Sequence, residues 1–279
     1  MQKSTNRLRS ERLALVGRKL RLPTFYSRWA MDLAWLVALL PILITAGGPR
    51  MVFWSNLTLL VVTVLIWQVL FAIARRRPPD LASVTAALGL AILLPADTSV
   101  MMIIMTASFG IVLAELIFGG RGWSFLNPVV VGITFLMFST PALSGAQAQV
   151  ATLAVLPGAA LLIGSGLVHW QTPLAALLAS STAALLLNLS PQTVLVDGTA
   201  LFVLIFLVAD PVASAHTRIG RWAHGALVGL LIVALLPASG TVTVQALCFA
   251  ALLGSIFAPL IDAGATTLAI RTTRRARNG

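Results

Sequence analysis

The sequence has little charge and almost no cysteine. Only 10% of its 279 residues are charged, whereas 58% are hydrophobic. Soluble domains have about 25% charged residues, so a water-soluble fold of this size could not cover its surface. The single cysteine, Cys248, excludes an internal disulfide and an iron–sulfur cluster held by cysteines of this chain. The three histidines, His169, His216 and His224, have no metal-ligand spacing, so we expect no metal site.

Acidic residues are also scarce, and the chain carries a net charge of +11. Excess positive charge can indicate nucleic-acid binding, but here the basic residues flank apolar runs long enough to span a bilayer. Eight precede the first such run and four close the chain. This placement is typical of membrane helices anchored at their cytoplasmic ends. The sequence therefore predicts contact with a lipid bilayer and no nucleic-acid partner.

Ten apolar segments predict an all-α, polytopic membrane protein. They cover roughly residues 29–47, 52–74, 82–95, 99–118, 125–139, 151–168, 172–188, 198–209, 222–238 and 243–262. The third, fifth and eighth are short, as expected of broken helices that end within the membrane. We divide the chain into a basic N-terminal segment (residues 1–28), a transmembrane domain (29–265) and a basic tail (266–279).

The basic residues predict the orientation of these segments. With an even number of spans and the N-terminus inside, every one of the 19 Lys and Arg residues except Arg50 lies on the cytoplasmic side. This is the distribution that the positive-inside rule describes. We therefore expect a multi-pass protein of the cell inner membrane with both termini in the cytoplasm.

Two internal matches suggest duplicated halves. Residues 94–97 (LPAD) end one short segment, and residues 207–211 (LVADP) end another. A fainter match joins residues 115–118 and 127–128 to residues 255–259. Such repeats are common in membrane folds with a central site, although chance similarity between apolar segments is an equal alternative.

The first candidate site lies in the loop before the fifth segment. Its glycines would let the backbone approach a ligand closely, and its amide and aromatic groups suit a flat heteroaromatic ring such as an isoalloxazine. Alternatively, Asn127 and Pro128 only cap and start a helix. The candidate cofactor-binding residues of this loop are Gly119, Gly120, Trp123, Phe125, Asn127 and Pro128.

The second candidate site follows the eighth segment, where an Asp at the membrane boundary precedes Pro and several small or hydroxyl residues. Its candidate residues are Asp210, Ser214 and Thr217. A capped helix start is the alternative. The predicted orientation puts this loop on the same side as Asn127, so the two loops could face one another.

The remaining acidic residues of the apolar region have simpler interpretations. Glu115 is expected to pair with Arg121 and Asp262 with the basic tail, whereas Asp97 is expected near the outer face. A proton or cation path through these three acidic residues is the alternative, because ionisable groups at membrane depth are costly.

Three stretches resemble the NqrB/RnfD family, the large membrane subunits of sodium-pumping NADH:quinone reductase and of Rnf electron-transport complexes. They are FGGRGWSFLNP at 118–128, DPVASAHTRIGRW at 210–222 followed by Gly225, and IFAPLID at 256–262. The resemblance spans roughly residues 80–275. It implies a ten-helix subunit that carries electrons through flavins, with Asn127 and its neighbours at a non-covalent flavin site.

The resemblance also implies an FMN joined by a phosphoester to a Thr in a Ser-Gly-Ala-Thr motif on the outer side. Here residues 144–147 read Ser-Gly-Ala-Gln, and a Gln side chain has no hydroxyl to esterify. Thr152 and Thr199 lack the rest of the motif. We therefore expect no covalent FMN, and a site for non-covalent flavin (riboflavin or FMN) or for quinone.

These observations favour a membrane electron-transfer subunit of an Rnf- or Nqr-like oxidoreductase complex. Such a subunit works with other membrane and peripheral subunits and has no complete catalytic cycle of its own. The alternatives are a transporter or channel on a related broken-helix scaffold, and a structural membrane anchor for redox partners.

The chain should carry no flavin after denaturation, because Gln147 replaces the acceptor Thr. The measurement is in-gel fluorescence under ultraviolet light, after co-expression with a flavin-attaching transferase. A fluorescent band that maps to Thr152 or Thr199 would contradict this prediction.

Overall fold

The computed structural model describes residues 24–76, 82–143, 148, 150–188, 197–237 and 241–278. In these ranges the regular structure is helical, and ten helices follow one another. They are α1 (Thr24–Gly47), α2 (Met51–Arg75), α3 (Ala82–Leu93), α4 (Val100–Ile111, continued by a π-helical turn over Val112–Leu116), α5 (Pro128–Ser139), α6 (Thr152–Gly164), α7 (Gln171–Leu186), α8 (Gly198–Phe202, continued by a π-helical stretch over Val203–Val208), α9 (Arg218–Ala234) and α10 (Val244–Asn278). The all-α prediction and the number of segments are confirmed.

The helices differ in whether they can cross a membrane alone. Three stretches are long and apolar enough to do so, namely Ala30–Gly47, Met51–Arg75 and Val244–Leu268. By contrast, α3 and α5 have 12 residues each, about 18 Å at 1.5 Å per residue, against a hydrocarbon core of about 30 Å. The third, fifth and eighth segments are therefore short, as predicted.

Two of the helix boundaries that differ from the prediction have a clear local reason. Helix α9 begins at Arg218 rather than at 222 because Thr217 caps it, with Thr217 Oγ1 accepting a hydrogen bond from Gly220 N at 3.0 Å. Helix α10 continues past the predicted domain boundary at 265 as far as Asn278. Residues 265–278 contain neither Gly nor Pro to end it.

Hydrogen bonds between loops define one end of the bundle, which we call the basic end. One bond joins the end of α2 to the end of α4. Two bonds join the loop before α5 to the start of α3 and to the end of α8. A fourth bond joins the start of α9 to the start of α7. Arg75, Arg121 and Arg221 donate three of these bonds. Basic residues therefore collect where α2, α4 and α8 end.

The opposite end, which we call the Arg50 end, gathers the other loops. The end of α1, the starts of α2 and α10, the end of α3 and Ala148 line one cavity there. Thr199 Oγ1, at the start of α8, donates to Ala148 O at 2.7 Å. Helices alternate between the two ends, so the chain enters α1 and leaves α10 at the basic end. Which side of the membrane this end faces stays a prediction.

Helix packing repeats with a shift of five helices. Among the first five helices, α2 packs on α4, α4 on α5, α1 on α3 and α3 on α5. The corresponding pairs among the last five helices are α7 on α9, α9 on α10, α6 on α8 and α8 on α10. The halves α1–α5 and α6–α10 meet through α1 against α6 and α5 against α10. Because each half has an odd number of alternating helices, the second half is inverted relative to the first.

This packing separates the two predicted internal matches. The match between residues 94–97 and 207–211 links the ends of α3 and α8, which correspond in the repeat. The fainter match sets the end of α4 beside α10, whereas α4 corresponds to α9. Residues 127–128, by contrast, lie at the start of α5, which does correspond to α10. Only that part of the fainter match agrees with the packing.

Glycine allows the closest helix approach described. A Cβ atom on Gly225 of α9 would lie 2.2 Å from Thr172 O of α7, and one on Gly229 would lie 2.3 Å from Ala176 O. Side chains there would push the two backbones apart. Small residues at such contacts are typical of helix pairs in membranes, where packing replaces the hydrophobic effect.

Reporter fusions at the N-terminus and after Arg277 should both report cytoplasm, and a fusion at Gln147 should report the outer side. The reason is the grouping of basic residues at one end of an even-numbered bundle. Paired cytoplasmic and periplasmic reporters give the measurement. A periplasmic signal from either terminus would exclude this orientation.

Candidate functional site

The carboxylate of Asp210 brings the two predicted loops together. Asn127 Nδ2 donates to Asp210 Oδ2 at 2.8 Å, and Val212 N donates to Asp210 Oδ1 at 3.2 Å. Arg121 Nη2 lies 3.5 Å from Asp210 Oδ1. Asp210 is only 4% exposed, and burying a carboxylate is costly without such partners. The prediction that the loops face one another is confirmed.

The side-chain amide oxygen and nitrogen of Asn127 both form hydrogen bonds within the protein. Its Oδ1 accepts from Val129 N at 2.9 Å and so caps α5, which starts at Pro128. Its Nδ2 binds Asp210. The cap considered as an alternative is therefore present, and it coexists with the contact to the second loop.

Arg121 connects three parts of the site. Its Nη1 donates to Thr85 Oγ1 at 3.2 Å, its Nη2 pairs with Asp210, and its Cζ lies 5.1 Å from the centre of the Trp35 ring. The sequence predicts Glu115 as its partner. Glu115 instead accepts a hydrogen bond from Ser83 at the start of α3.

A cleft of about 30 Å³ lies beside these groups. Its polar lining includes Thr85, Arg121, Asn127 and Asp210, and its apolar lining includes Trp35, Phe202 and Phe206. The rings of Trp35 and Phe206 meet edge to face at 5.9 Å. The polar and aromatic groups suit a flat redox ring, but the space holds about one or two waters. A flavin or quinone ring would fit only if the lining side chains moved apart.

Both π-helical stretches lead directly into this cleft. Val112–Leu116 precedes the loop that carries Arg121 and Asn127, and Val203–Val208 precedes Asp210. All six residues of the second stretch are buried. Stretches of this kind are often found at functional sites, because the wider turn changes which side chains face inwards.

Four residues of the first predicted loop lie outside the cleft. Trp123 is 70% exposed and Phe125 is also exposed, with its ring against Phe118. Gly119 and Gly120 have φ of +115° and +104°, a region that favours glycine. An added Cβ on Gly119 would meet nothing closer than 3.8 Å. Backbone conformation, rather than the expected close approach to a ligand, explains glycine here.

The second predicted loop is held mainly as a helix start. Thr217 donates to Asp262 Oδ1 from its N (2.9 Å) and its Oγ1 (2.6 Å), and His216 N donates to Asp262 Oδ2 at 2.6 Å. A Cβ on Gly220 would lie 2.5 Å from the same carboxylate. Ser214 Oγ bonds only to the adjacent Ala215 O, at 3.3 Å. Asp262 therefore fixes the start of α9. The expected pairing of Asp262 with the basic tail concerns side chains outside the described ones.

The loop before α7 lies beside this helix start. Burial, followed by the charges of Arg221 and His216, lowers the pKa of the His169 imidazole. Arg221, whose charge contributes to this shift, donates a hydrogen bond to Gln171 Oε1 at 3.3 Å.

Sequence analysis missed the apolar and hydroxyl residues that α1, α3 and α8 contribute to the cleft. Trp35, Thr85, Phe202 and Phe206 lie within apolar runs and carry no local motif. Only packing against Arg121 and Asp210 identifies them. The Arg121–Asp210 pair itself could have been found, because both charges were predicted on the same side of the membrane.

Comparison with known proteins adds independent findings. A model of the "NQR2, RnfD, RnfE family" matches residues 26–146 and 142–270. One subunit of the Na(+)-translocating NADH-quinone reductase of Pseudomonas paraeruginosa is 27% identical, over 76% of this chain and 66% of that protein. The corresponding subunit from Azotobacter vinelandii is 27% identical, over 70% and 62%. The chain thus spans about two thirds or less of the length of these relatives.

Replacing Asn127 should separate its two structural roles. Asn127→Ser keeps an oxygen that can cap α5, but the shorter side chain cannot reach Asp210. Loss of the hydrogen bond to Asp210 should lower the free energy of unfolding by about 1–3 kcal/mol. Asn127→Leu also removes the cap, which adds about 1 kcal/mol. Asp197→Leu is the matched control, since Asp197 caps α8 through Thr199 N (2.7 Å) at the other end. Thermal unfolding in detergent measures all three. An Asn127→Ser protein as stable as wild type would mean that the Asp210 contact contributes little.

Proposed function

Because the chain belongs to the NQR2, RnfD, RnfE family, we propose that it is a membrane electron-transfer subunit of an Nqr- or Rnf-type redox complex. Its relatives are named as subunits of such an enzyme, so we expect this chain to work with further membrane and peripheral subunits. On this proposal it is a component of an oxidoreductase in the inner membrane, and its basic end faces the cytoplasm.

The observation that carries the proposal is the contact between the buried side chains of Asn127 and Asp210 and the partly exposed Arg121, beside an aromatic wall. We propose that a non-covalent flavin, either riboflavin or FMN, or a quinone headgroup binds in this cleft once it opens. When bound, a flavin supplies one- and two-electron redox chemistry. Arg121 would place positive charge at the ring edge, and Trp35 and Phe206 would exclude water.

The environment of Thr199 supports the expectation that no FMN is attached there covalently. Thr199 is buried, and its hydroxyl already donates to Ala148 O at 2.7 Å. Esterification would require breaking this bond and exposing the start of α8. Residues 144–147, which hold the Gln of the altered motif, lie outside the described residues.

The inverted packing of the two halves favours one alternative, a transporter. Inverted repeats with short helices around a central site are a common transporter architecture. A transporter would not need a bound chromophore, so ligand binding separates the two proposals.

Purified protein should bind riboflavin, FMN or a short-chain quinone, as measured by visible absorption and by titration. Asn127→Leu should weaken that binding by roughly 5- to 150-fold, because a buried hydrogen-bond partner is lost. Asp197→Leu loses a helix cap without touching the cleft and should keep the wild-type affinity. Wild-type protein that binds none of these ligands, or equal affinities in both variants, would count against the redox site.

A further inference from the structure

A second cavity, of about 300 Å³, lies at the Arg50 end of the bundle. This volume is at the lower limit of ordinary ligand pockets, which hold about 300–1,000 Å³. Its walls come from the end of α1, the start of α2, the end of α3, Ala148 and the start of α10. The lining residues are Ala46, Arg50, Val52, Phe53, Asn56, residues 91–96, Ala148 and Val244.

The polar groups of this cavity favour an anion. Arg50 provides a positive charge and Asn56 an amide, and none of the lining residues that the structure describes is acidic. Asp97 follows the lining residue Ala96 but does not itself line the cavity. The long helices α2 and α10 both begin at the cavity wall, and helix starts carry partial positive charge. The cavity therefore combines one full and two partial positive charges.

The surroundings of the cavity are those of a membrane interface. Trp54 is 40% exposed and its Nε1 donates to Gly48 O at 3.0 Å, an arrangement typical of indoles at headgroup depth. Beside it, Met51 and Val52 are exposed apolar side chains, at 84% and 56%. A ligand here would meet the positive charge of the exposed Arg50 at the cavity wall, and apolar side chains beside it.

Arg50 also differs from the other basic residues in its position in the bundle. It is the one basic residue at its end of the bundle among those that the structure describes. A basic residue on that side opposes the positive-inside bias, and binding an anion would offset this cost. We infer that the cavity binds the phosphate group of an anionic phospholipid through Arg50, with the acyl chains lying against the exposed start of α2.

Native mass spectrometry can test this inference with the full-length protein in mild detergent. The probes are phosphatidylglycerol, a diacylglycerol with the same acyl chains, and inorganic phosphate. Phosphatidylglycerol should bind at one saturable site. The diacylglycerol and inorganic phosphate should each bind at least tenfold more weakly, because each lacks one half of the recognised chemistry.

Two variants and one control locate the site. Arg50→Gln should weaken phosphatidylglycerol binding by roughly 10- to 150-fold, as expected when a charge-assisted hydrogen bond is lost. Ala96→Phe fills the cavity from an exposed position and should also abolish binding without changing charge. Arg76→Gln removes a charge at the other end of α2 and should have no effect.

Several results would overturn the inference. Equal loss in Arg50→Gln and Arg76→Gln would indicate non-specific charge attraction. Equal binding of the diacylglycerol would exclude phosphate recognition, and tight binding of inorganic phosphate alone would exclude a lipid. None of these readouts depends on a bound flavin, so the outcome is separate from that of the proposed redox function.

Discussion

The buried carboxylate of Asp210 holds together the loop before α5 and the turn after α8. It accepts hydrogen bonds from Asn127 and from Val212 N and pairs with Arg121. Short helices such as α5 and α8 end where lipid cannot solvate their backbone. Asn127 accepts from Val129 N and so satisfies one free backbone donor at the start of α5, and Asp210 accepts from Val212 N in the turn that follows α8. The contact between Asn127 and Asp210 thus ties the start of α5 to the turn after α8.

The same constraint explains the shape of the cleft. An ion pair that is buried needs further hydrogen bonds and close packing around it. Arg121 obtains them from Thr85 and from the face of Trp35, and the π-helical stretch of α8 sets Phe206 against Trp35. The polar centre is thus enclosed by aromatic rings on one side and by two loops on the other. The lining side chains fill most of the space between them, which leaves a cleft of about 30 Å³.

Much of this architecture could be predicted from hydropathy and charge. Apolar runs separated by polar or glycine-rich loops predicted the ten segments, because a lipid environment demands continuous apolar stretches. The side of each loop followed from the basic residues, and this was enough to bring Asn127 and Asp210 together. Local sequence could not reveal the partners of Arg121 and Asp262, since those depend on helix rotation and on contacts between distant segments.

The glycines illustrate the same limit. The local sequence does not distinguish the reasons for Gly119 and Gly220. Gly119 is required because its φ is positive, whereas at Gly220 a Cβ atom would clash with the Asp262 carboxylate. The sequence did not predict the cavity at the Arg50 end either. It is formed by the ends of helices from both halves, and only Arg50 stands out before the fold is known.

The inverted packing of α1–α5 and α6–α10 also bears on how such a chain arose. Two similar halves in opposite orientations point to one five-helix ancestor that was able to insert either way round. Dual insertion requires nearly balanced Lys and Arg on the two faces, whereas here Arg50 stands alone against the rest. On such an origin, the charge imbalance would have arisen after the halves were joined. Once a covalent link had fixed their relative orientation, each face of the fused protein was free to evolve its own charge.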